Sequence, residues 1–594
     1  MEKIIILDMG GQYAHLLARR IRQLGVYSEI HPSDTDVERI DGVKGIILSG
    51  GPSSVYEKDA PQPHPGLFKE PVPVLGLCYG HHLMARHFRG EVAAGKVKEY
   101  GLAELKVIKE EGIFSGLDRQ EQVWMSHGDE VKTLPEGFDI IGSTEDCPIA
   151  AIADPLRKYY GFQFHPEVTH TPHGMQMLDN FIRITGAKRD FSVGSYRKII
   201  RREIEETVGE KKVFLLVSGG VDSTVCFALL EKVLGRDRVV GLFIDNGLLR
   251  KEEGKNVKES LDRLGFRNLQ VYDASDLFLA HLEGAHEPEE KRKIIGETFI
   301  EVQQKVFVEM GFEEKGWLLA QGTIYPDTIE TKGTKNADLI KTHHNRIPLV
   351  QKMIDRGQVI EPLKGIYKDE VRELGKELGL PREIVWRHPF PGPGLGVRCL
   401  CMKEPVSIDR EEKGIVADLA EELQIPMDVL PLKSVGVQGD SRTYRHPVSI
   451  EHDLDYDALD DLSRTITNRL KTVNRVLLWL GGRRPPAMSG KVAYLTRERL
   501  DLLREADDRV MGLLREHGLY DSIWQFPVIA VPFGAEGESI ILRPVTSTEA
   551  MTARFGRIDE PVLREMADAL LGIQGIDAVF LDITNKPPGT IEWE

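Results

Sequence analysis

Short apolar runs, two of them ending in glycine, recur along the first third of the chain. "KIIILDMG", "GIILSGG", "VPVLGLC" and "YYGFQFHPE" each read as a strand entering a turn. Between them, "QYAHLLARRIRQLG" and "HHLMARHF" carry apolar residues at helical spacing. Strand and helix in alternation predict α/β architecture, a mainly parallel sheet with helices on both faces. A helix over "GSYRKIIRREIEETVG" leads into a second α/β stretch. There "KVFLLVSGG", "VVGLFIDNG", "LQVYDAS" and "WLLAQGT" are the expected strands. "RHPFPGPGLG" closes that stretch, because its prolines and glycines continue neither a helix nor a central strand.

The last third repeats itself. "NRVLLWLGGRRPPA" echoes "DAVFLDITNKPPGT", and upstream "DVLPLKSVGVQG" echoes "FPVIAVPFGAEG" in the same order. Each copy reads strand, polar turn, strand, helix, strand, Pro-Pro turn. The pattern predicts a duplicated α+β module and four segments: 1–190, 191–400, 401–490 and 491–594.

Composition narrows the function. A net charge of −16 over 594 residues, with no long basic stripe, points away from nucleic acid. No apolar run approaches the ~18 residues that span a bilayer. The start "MEKIIILDMGG" is a strand rather than a basic leader, so a cytoplasmic protein without a membrane partner is expected. Five scattered cysteines form no disulfide framework, and Cys399 and Cys401 read as packed strand residues rather than a metal pair.

Two stretches carry chemistry. In "VPVLGLCYGHHLM", Cys78 ends a strand just before a helix. An elbow of this kind lifts the thiol above the sheet and turns helix N-terminal amides toward whatever it attacks. The positive helix end also favours the thiolate. In "GFQFHPEV", His165 and Glu167 are two apart, which in an extended segment puts both on one face, a base beside its orienting carboxylate. Alone, such a cysteine is more often a buried structural one; with His165 and Glu167 it completes a catalytic set.

The second stretch is "VFLLVSGGVDSTV". It is built like a phosphate loop but lacks the lysine of the common G-x-x-x-x-G-K-[ST] form. Backbone N–H groups and hydroxyls of Ser218, Gly219, Gly220, Val221, Asp222, Ser223 and Thr224 would cradle two phosphates. Without a lysine reaching the γ-phosphate, the loop suits attack at the α-phosphate of ATP, with pyrophosphate leaving as one unit. Asp222 supplies a hard oxygen ligand for Mg²⁺.

"GLCYG", "SGGPSS", "WMSHGD" and "FQFHPEV" resemble the class I glutamine amidotransferases. The resemblance implies that Cys78 attacks the glutamine side-chain amide, His165 moves the proton, Glu167 orients it, and the Gly51 and Tyr79 amides form the oxyanion hole. One position departs: the family's Cys-x-Gly-x-Gln ends here in His82, a residue type that puts glutamine affinity in question. "SGGVDST" is shared by ATP pyrophosphatases. "FIDNGLLR", "EEKRKIIGETF", "AQGTIYPDTIE", "IKTHHN", "EPLKGIYKDEVRELGKELGLP", "RHPFPGPGLGVR", "SVGVQGD" and "KPPGTIEWE", in that order, closely resemble the GMP synthetases that hydrolyse glutamine. That resemblance implies adenylation of XMP and displacement of AMP by ammonia. It places XMP at Asp440, Gln525, Lys586 and Glu592, with Arg442 a further basic candidate. It makes Lys341, Asp327 and Glu330 parts of a lid. The family's short form has one C-terminal module and is a homodimer. A second copy in the same chain predicts a monomer with an internal pseudo-dimer, a homodimer being the alternative.

Overall fold

A computed structural model describes every residue except 70, 312–315, 328–352, 354–355, 439–440 and 548–552. The chain forms two compact units. The first comprises Met1–Arg202, Ile324–Asp338 and Lys364–Glu370; the second comprises Glu203–Thr323, Leu339–Leu363 and Val371–Glu594. No helix among the described residues is long and apolar enough to cross a membrane.

The first unit is built on nine strands: β1 (Lys3–Asp8), β2 (Tyr27–Pro32), β3 (Val43–Leu48), β4 (Val74–Leu77), β5 (Glu91–Val107), β6 (Gln120–Thr133), β7 (Asp139–Ser143), β8 (Ala151–Asp154) and β9 (Tyr159–Phe162). Their order is β2-β1-β3-β4-β9-β8-β7-β5-β6. The first five in that order pair in parallel, and the rest are antiparallel. Successive side chains of a strand face opposite sides. Ile4 and Ile6 enter one apolar core, Ile5 and Leu7 the other. Helix α1 (Ala14–Gln23) covers the first face through Leu17 and Ile21; α2 (Tyr79–His87) covers the second through Leu83 and Met84. The continuous apolar run of β1 is thus explained by cover on both faces.

Two later stretches of sequence join this unit around one buried cation. Arg22 of α1 is 4% exposed and bonds Glu370 at 2.9 Å and the Gly365 carbonyl at 2.9 Å. Its guanidinium lies 4.7 Å from the ring centre of Tyr27, 5.0 Å from Tyr325 and 4.9 Å from Tyr367.

The second unit contains a fully parallel sheet of β10 (Val213–Leu216), β11 (Val239–Asp245), β12 (Leu269–Asp273), β13 (Leu318–Ala320) and β14 (Val359–Ile360), in the order β12-β11-β10-β13-β14. Strand β10 feeds a short loop and then α3 (Val221–Leu234). Helices α4 (Glu253–Arg263) and α5 (Pro288–Met310) follow.

The C-terminal sheet contains β15 (Met427–Val429), β16 (Ser434–Gln438), β17 (Ser441–Ile450), β18 (Val473–Gly482), β19 (Val528–Val531), β20 (Glu538–Leu542) and β21 (Ile576–Asp582). Helix α6 (Tyr456–Arg469) connects β17 to β18, and α8 (Glu560–Leu571) connects β20 to β21; α7 (Arg497–Glu516) precedes β19. In each half an antiparallel pair is followed by a helix and a parallel strand. The halves join where β18 pairs antiparallel with β21, Leu478 opposite Leu581. That central antiparallel pairing relates two like halves by a local two-fold, the arrangement expected of two modules joined edge to edge.

The join encloses charge. Asp582 and Arg475 are 0% exposed and 2.8 Å apart; Arg543 reaches the other oxygen of Asp582 at 3.1 Å. The indole N–H of Trp593 donates to Asp582 at 3.0 Å. Burial alone would raise this carboxyl, but the two guanidiniums hold it below its usual range. Replacing Asp582 by alanine would leave two buried cations without their anion, a loss of about 3–5 kcal/mol. The expected result is a clear fall in the urea midpoint of Asp582→Ala, followed by circular dichroism; an unchanged midpoint would show the arginines compensated elsewhere.

Candidate active sites

The first site stands where β4 ends. Cys78 has φ 48° and ψ −105°, an unfavourable backbone for a residue with a Cβ. Its N–H donates to the Phe162 carbonyl at 2.7 Å, and α2 starts at the next residue. The helix can begin this close because Gly80 has no side chain: a Cβ there would lie 2.5 Å from the Leu48 carbonyl oxygen. The thiol lies 3.7 Å from the Ser126 carbonyl oxygen.

His165 and Glu167 meet, though not as two residues of one strand. Strand β9 stops at Phe162, and Pro166, lacking an N–H, lies in the turn that follows. Within that turn Nδ1 of His165 is 2.8 Å from Oε1 of Glu167. Arg20 donates to the Glu167 carbonyl at 3.1 Å, and Tyr13 stands edge-on to the imidazole at 5.1 Å. Burial opposes the charged ring, but the Glu167 carboxylate and the hydrogen-bonded Cys78 thiol push His165 up to about 10. The pair is therefore poised as an imidazolium next to its sulfur. Gly50 must be glycine, since a Cβ would fall 2.9 Å from Cε1 of His165; at Gly51 a Cβ would strike the Met9 carbonyl oxygen at 2.3 Å. Tyr79 is the first residue of α2, where backbone N–H groups lack helical partners.

A cavity of about 600 Å³ opens over these groups, lined among others by Cys78, His165, Gly51, Ser126, Asp129 and His82. His82 is 3% exposed, with Nε2 2.7 Å from Oε1 of Gln163. Burial pushes its imidazole down to about 4, so the ring is neutral and donates to that oxygen. Tyr13, Ser126 and Gln163 escaped the sequence reading, although Ser126 and Gln163 lie inside "WMSHGD" and "FQFHPEV". Glu99, Cys147 and His127, the last of which lines the cavity, bring possible metal-ligating atoms within 4.8 Å of one another. Their own contacts account for them: His127 pairs with Glu99 at 3.0 Å and Thr144 donates to Glu99 at 3.1 Å.

The second site is the loop between β10 and α3. The Ser218 N–H donates to Oγ of Ser223 at 3.1 Å, and that hydroxyl also reaches the Gly220 carbonyl at 3.2 Å. Gly219 has φ +77°, a conformation glycine adopts freely. A Cβ there would also meet the Phe243 ring at 2.9 Å. Val221, Asp222, Ser223 and Thr224 form the first turn of α3, a ready anion site. The Thr224 hydroxyl oxygen is buried and has no hydrogen-bond partner among the described residues.

Farther along, Gln525 donates to Oε1 of Glu592 at 3.0 Å, and Arg398 grips both oxygens of Glu592 at 3.0 and 2.8 Å. Arg442 pairs with Glu289 of α5 at 2.9 Å. The backbone of Lys586 pairs with Ala553. Asp327 accepts the Ile324 N–H at 3.3 Å. Asp440, Lys341 and Glu330 lie outside the described residues. Arg398 was not singled out as a site residue, because within "RHPFPGPGLGVR" nothing in local spacing marks it as the partner of a carboxylate far along the chain.

Family models match three stretches: glutamine amidotransferase class-I over residues 5–184, NAD synthase over 193–315, and GMP synthase C terminal domain over 513–593. A probable GMP synthase [glutamine-hydrolyzing] of Leptospira interrogans is 45% identical, covering 100% of this chain and 99% of its own. That of Dictyostelium discoideum is 37% identical over 100% of this chain and 94% of its own. The chain belongs to the glutamine-hydrolysing GMP synthases. An Aquifex aeolicus GMP synthase, 44% identical, covers 81% of this chain with 98% of its own length. A solved putative GMP synthase subunit from Thermoplasma acidophilum is 34% identical, covering 34% of this chain and 97% of that one, with a TM-score of 0.28.

Within this family the residue at position 82 can be tested directly. The His82 ring is engaged with Gln163, whereas a glutamine amide offers both a donor and an acceptor to a substrate. His82→Gln is expected to lower the KM for glutamine several-fold and leave ammonium-dependent synthesis unchanged. An unchanged KM would mean that His82 already performs the task of the family glutamine.

Proposed function

We propose that the chain makes GMP from XMP, ATP and glutamine, with Cys78 and the Ser218–Thr224 loop as the two chemical centres. The supporting observation is the Cys78–His165–Glu167 constellation, built at a strand–helix elbow in the same chain as a lysine-free phosphate loop.

Cys78 sulfur attacks the carboxamide carbon of glutamine. His165 gives its proton to the departing nitrogen, so ammonia leaves and a thioester remains. His165 then takes a proton from water, which displaces the sulfur and releases glutamate. The Gly51 and Tyr79 amides stabilise the negative oxygen at each step. In the second centre, O2 of XMP attacks the α-phosphorus of ATP. The bond from that phosphorus to the bridging oxygen breaks, and pyrophosphate leaves into the cradle of Ser218, Gly219, Gly220, Val221, Asp222, Ser223 and Thr224. Ammonia then adds at C2, AMP departs with the oxygen, and one proton is lost to give GMP.

The Asp222 carboxylate, in the first turn of α3, is a hard oxygen donor, and it is the residue we assign to Mg²⁺. Mg²⁺ would neutralise charge on the leaving pyrophosphate. We place XMP at Gln525, Glu592, Lys586, Arg442 and Asp440, and assign Asp327, Glu330 and Lys341 to a lid that keeps water from the adenylated intermediate. In sequence, 1–190 would serve glutamine hydrolysis, 191–400 adenylation, and the repeats 401–490 and 491–594 the nucleotide tail.

These assignments are tested by comparing nitrogen sources. Cys78→Ala should abolish glutamine-dependent GMP formation and spare synthesis from ammonium. Asp222→Ala should remove both, by a factor of roughly 100 or more. Equal loss of both activities in folded Cys78→Ala, or near-normal ammonium turnover in Asp222→Ala, would refute the two-centre reading. If the parent protein uses ammonium but not glutamine, the departure at His82 has cost it the glutaminase.

We also propose a monomer. The antiparallel pairing of β18 with β21 joins two like halves of one chain, and a covalently linked copy outcompetes a separate one through its effective concentration. Light scattering after gel filtration should give one chain of 66.8 kDa. A stable mass of twice that, unchanged on dilution, would overturn it.

A further inference from the structure

The segment from Arg387 to Arg398, "RHPFPGPGLGVR", touches the phosphate loop at one end and the Glu592 carboxylate at the other, and the proposed chemistry assigns it no task. At its first residue, one arm of the Arg387 guanidinium donates to the Gly219 carbonyl and the other to Oε1 of Glu253. In a trans peptide the carbonyl and the following N–H point in opposite directions. Holding the Gly219 oxygen outward therefore aims the Gly220 N–H to the other side, toward Ser218, whose Oγ is 3.4 Å from it. Arg387 thus sets the direction of a phosphate donor without facing the phosphate itself.

At its last residue, Arg398 is fully buried and grips Glu592 through two nitrogens. Between the ends stands Phe390. The guanidinium carbon of Arg250 lies 4.7 Å from its ring centre and that of Arg398 lies 5.1 Å from it. Arg250 is tied to Asp507 of α7 at 3.2 Å, and its N–H donates to Oε2 of Glu253 at 3.1 Å. The acids Glu253, Asp507 and Glu592 thereby balance the cations Arg387, Arg250 and Arg398. Three prolines fix their φ angles within the segment, and His388 anchors it by stacking on Tyr520 at 4.0 Å. The segment is fixed at both ends by charge and in the middle by a ring between two cations, and those anchors resist changes in its length.

We propose that Arg387–Arg398 is a strut that fixes the separation between the phosphate loop and Glu592, with Arg387, Phe390 and Arg398 as positioning residues for adenylation. It rests on the reading that ATP binds at the loop and XMP at Glu592. In-line attack tolerates little displacement, and about 1 Å can cost on the order of 100-fold in rate. The strut keeps each half-site intact while setting the distance between them, so its loss acts on turnover rather than on the binding of either substrate.

The experiment uses the full chain and follows GMP from XMP, MgATP and ammonium. Phe390→Leu keeps the apolar volume but removes the ring face. Its turnover should fall roughly tenfold or more, with the KM for ATP and for XMP each within about threefold of the parent value. Phe390→Tyr, which keeps the ring, should recover most of that loss. Arg387→Lys keeps the charge but not the fork; it should likewise lower turnover while both KM values stay within about threefold of the parent, and it decides the matter if Phe390→Leu does not fold. Turnover within about twofold in folded Phe390→Leu or in Arg387→Lys, a loss carried wholly by one KM, or a Tyr variant no better than Leu would each overturn the strut. A parent protein that makes no GMP from these substrates would instead overturn the reading beneath it.

Discussion

A parallel strand that runs into the N-terminus of a following helix leaves a crevice floored by backbone, and both chemical centres of this chain are built on that constraint. Strand β4 delivers Cys78 to α2; β10 delivers Ser218 to α3. In each place the turn is short, the helix amides point outward, and there is no room for side chains. A Cβ on Gly80 would press on Leu48, and one on Gly219 on Phe243. The same geometry serves different chemistry because the residue at the turn differs. In the proposed chemistry a thiol at the elbow serves as a nucleophile whose oxyanion intermediate would meet the helix amides, and a hydroxyl-rich turn with glycines would cradle an anion that leaves.

The C-terminal sheet solves a different problem, holding a tail that carries polar recognition groups against a mostly apolar core. Its solution is to bury charge in balance. Asp582 sits between Arg475 and Arg543, and those arginines extend to the Thr590 side chain and to the carbonyls of Thr590 and Glu592. The tail is thus tied through its backbone as well as through Trp593 and Glu592. Desolvating so much charge costs free energy, and apolar residues of equal volume would stabilise the sheet as well or better. What the arrangement adds is directional: carbonyls and carboxylates of the tail can be satisfied in one register only.

The parts of this legible in the sequence are those with local signatures. Short apolar runs mark β1, β3, β4, β10 and β11, and residue type and spacing mark the cysteine elbow and the S-G-G-x-D-S-T loop as candidate sites. Less legible were features set by partners distant in sequence. The His165–Glu167 pair was found for a reason that the backbone corrects: a turn beyond β9, not an extended strand, brings the two together. The antiparallel half of the first sheet was missed because an α/β alternation of strands and helices gives no sign of the long hairpin β5–β6. Arg22, Arg398 and Asp507 look like ordinary charged positions along their helices and loops, and only their burial beside distant opposite charges gives them a role.

The repeated module shows how a weak sequence echo becomes a strong constraint in three dimensions. A strand edge left open on one half exposes unpaired N–H and C=O groups and invites another chain. Here β18 of one half and β21 of the other close that edge against each other, with Trp479 opposite Phe580 and Leu477 opposite Asp582. With the edge closed from within, the two halves carry different turns and tails. The second half retains the tail with Glu592, held by Arg398 and Gln525. The first half is free to lose its own tail chemistry, and its corresponding turn carries Arg483 and Arg484 in place of Asn585 and Lys586. It still contributes Arg475 to the buried pair with Asp582, and its strand β16 lies against the second half's tail, the Val437 N–H donating to the Pro588 carbonyl at 2.8 Å. Divergence of function between the halves is therefore compatible with a contact that neither half can relinquish.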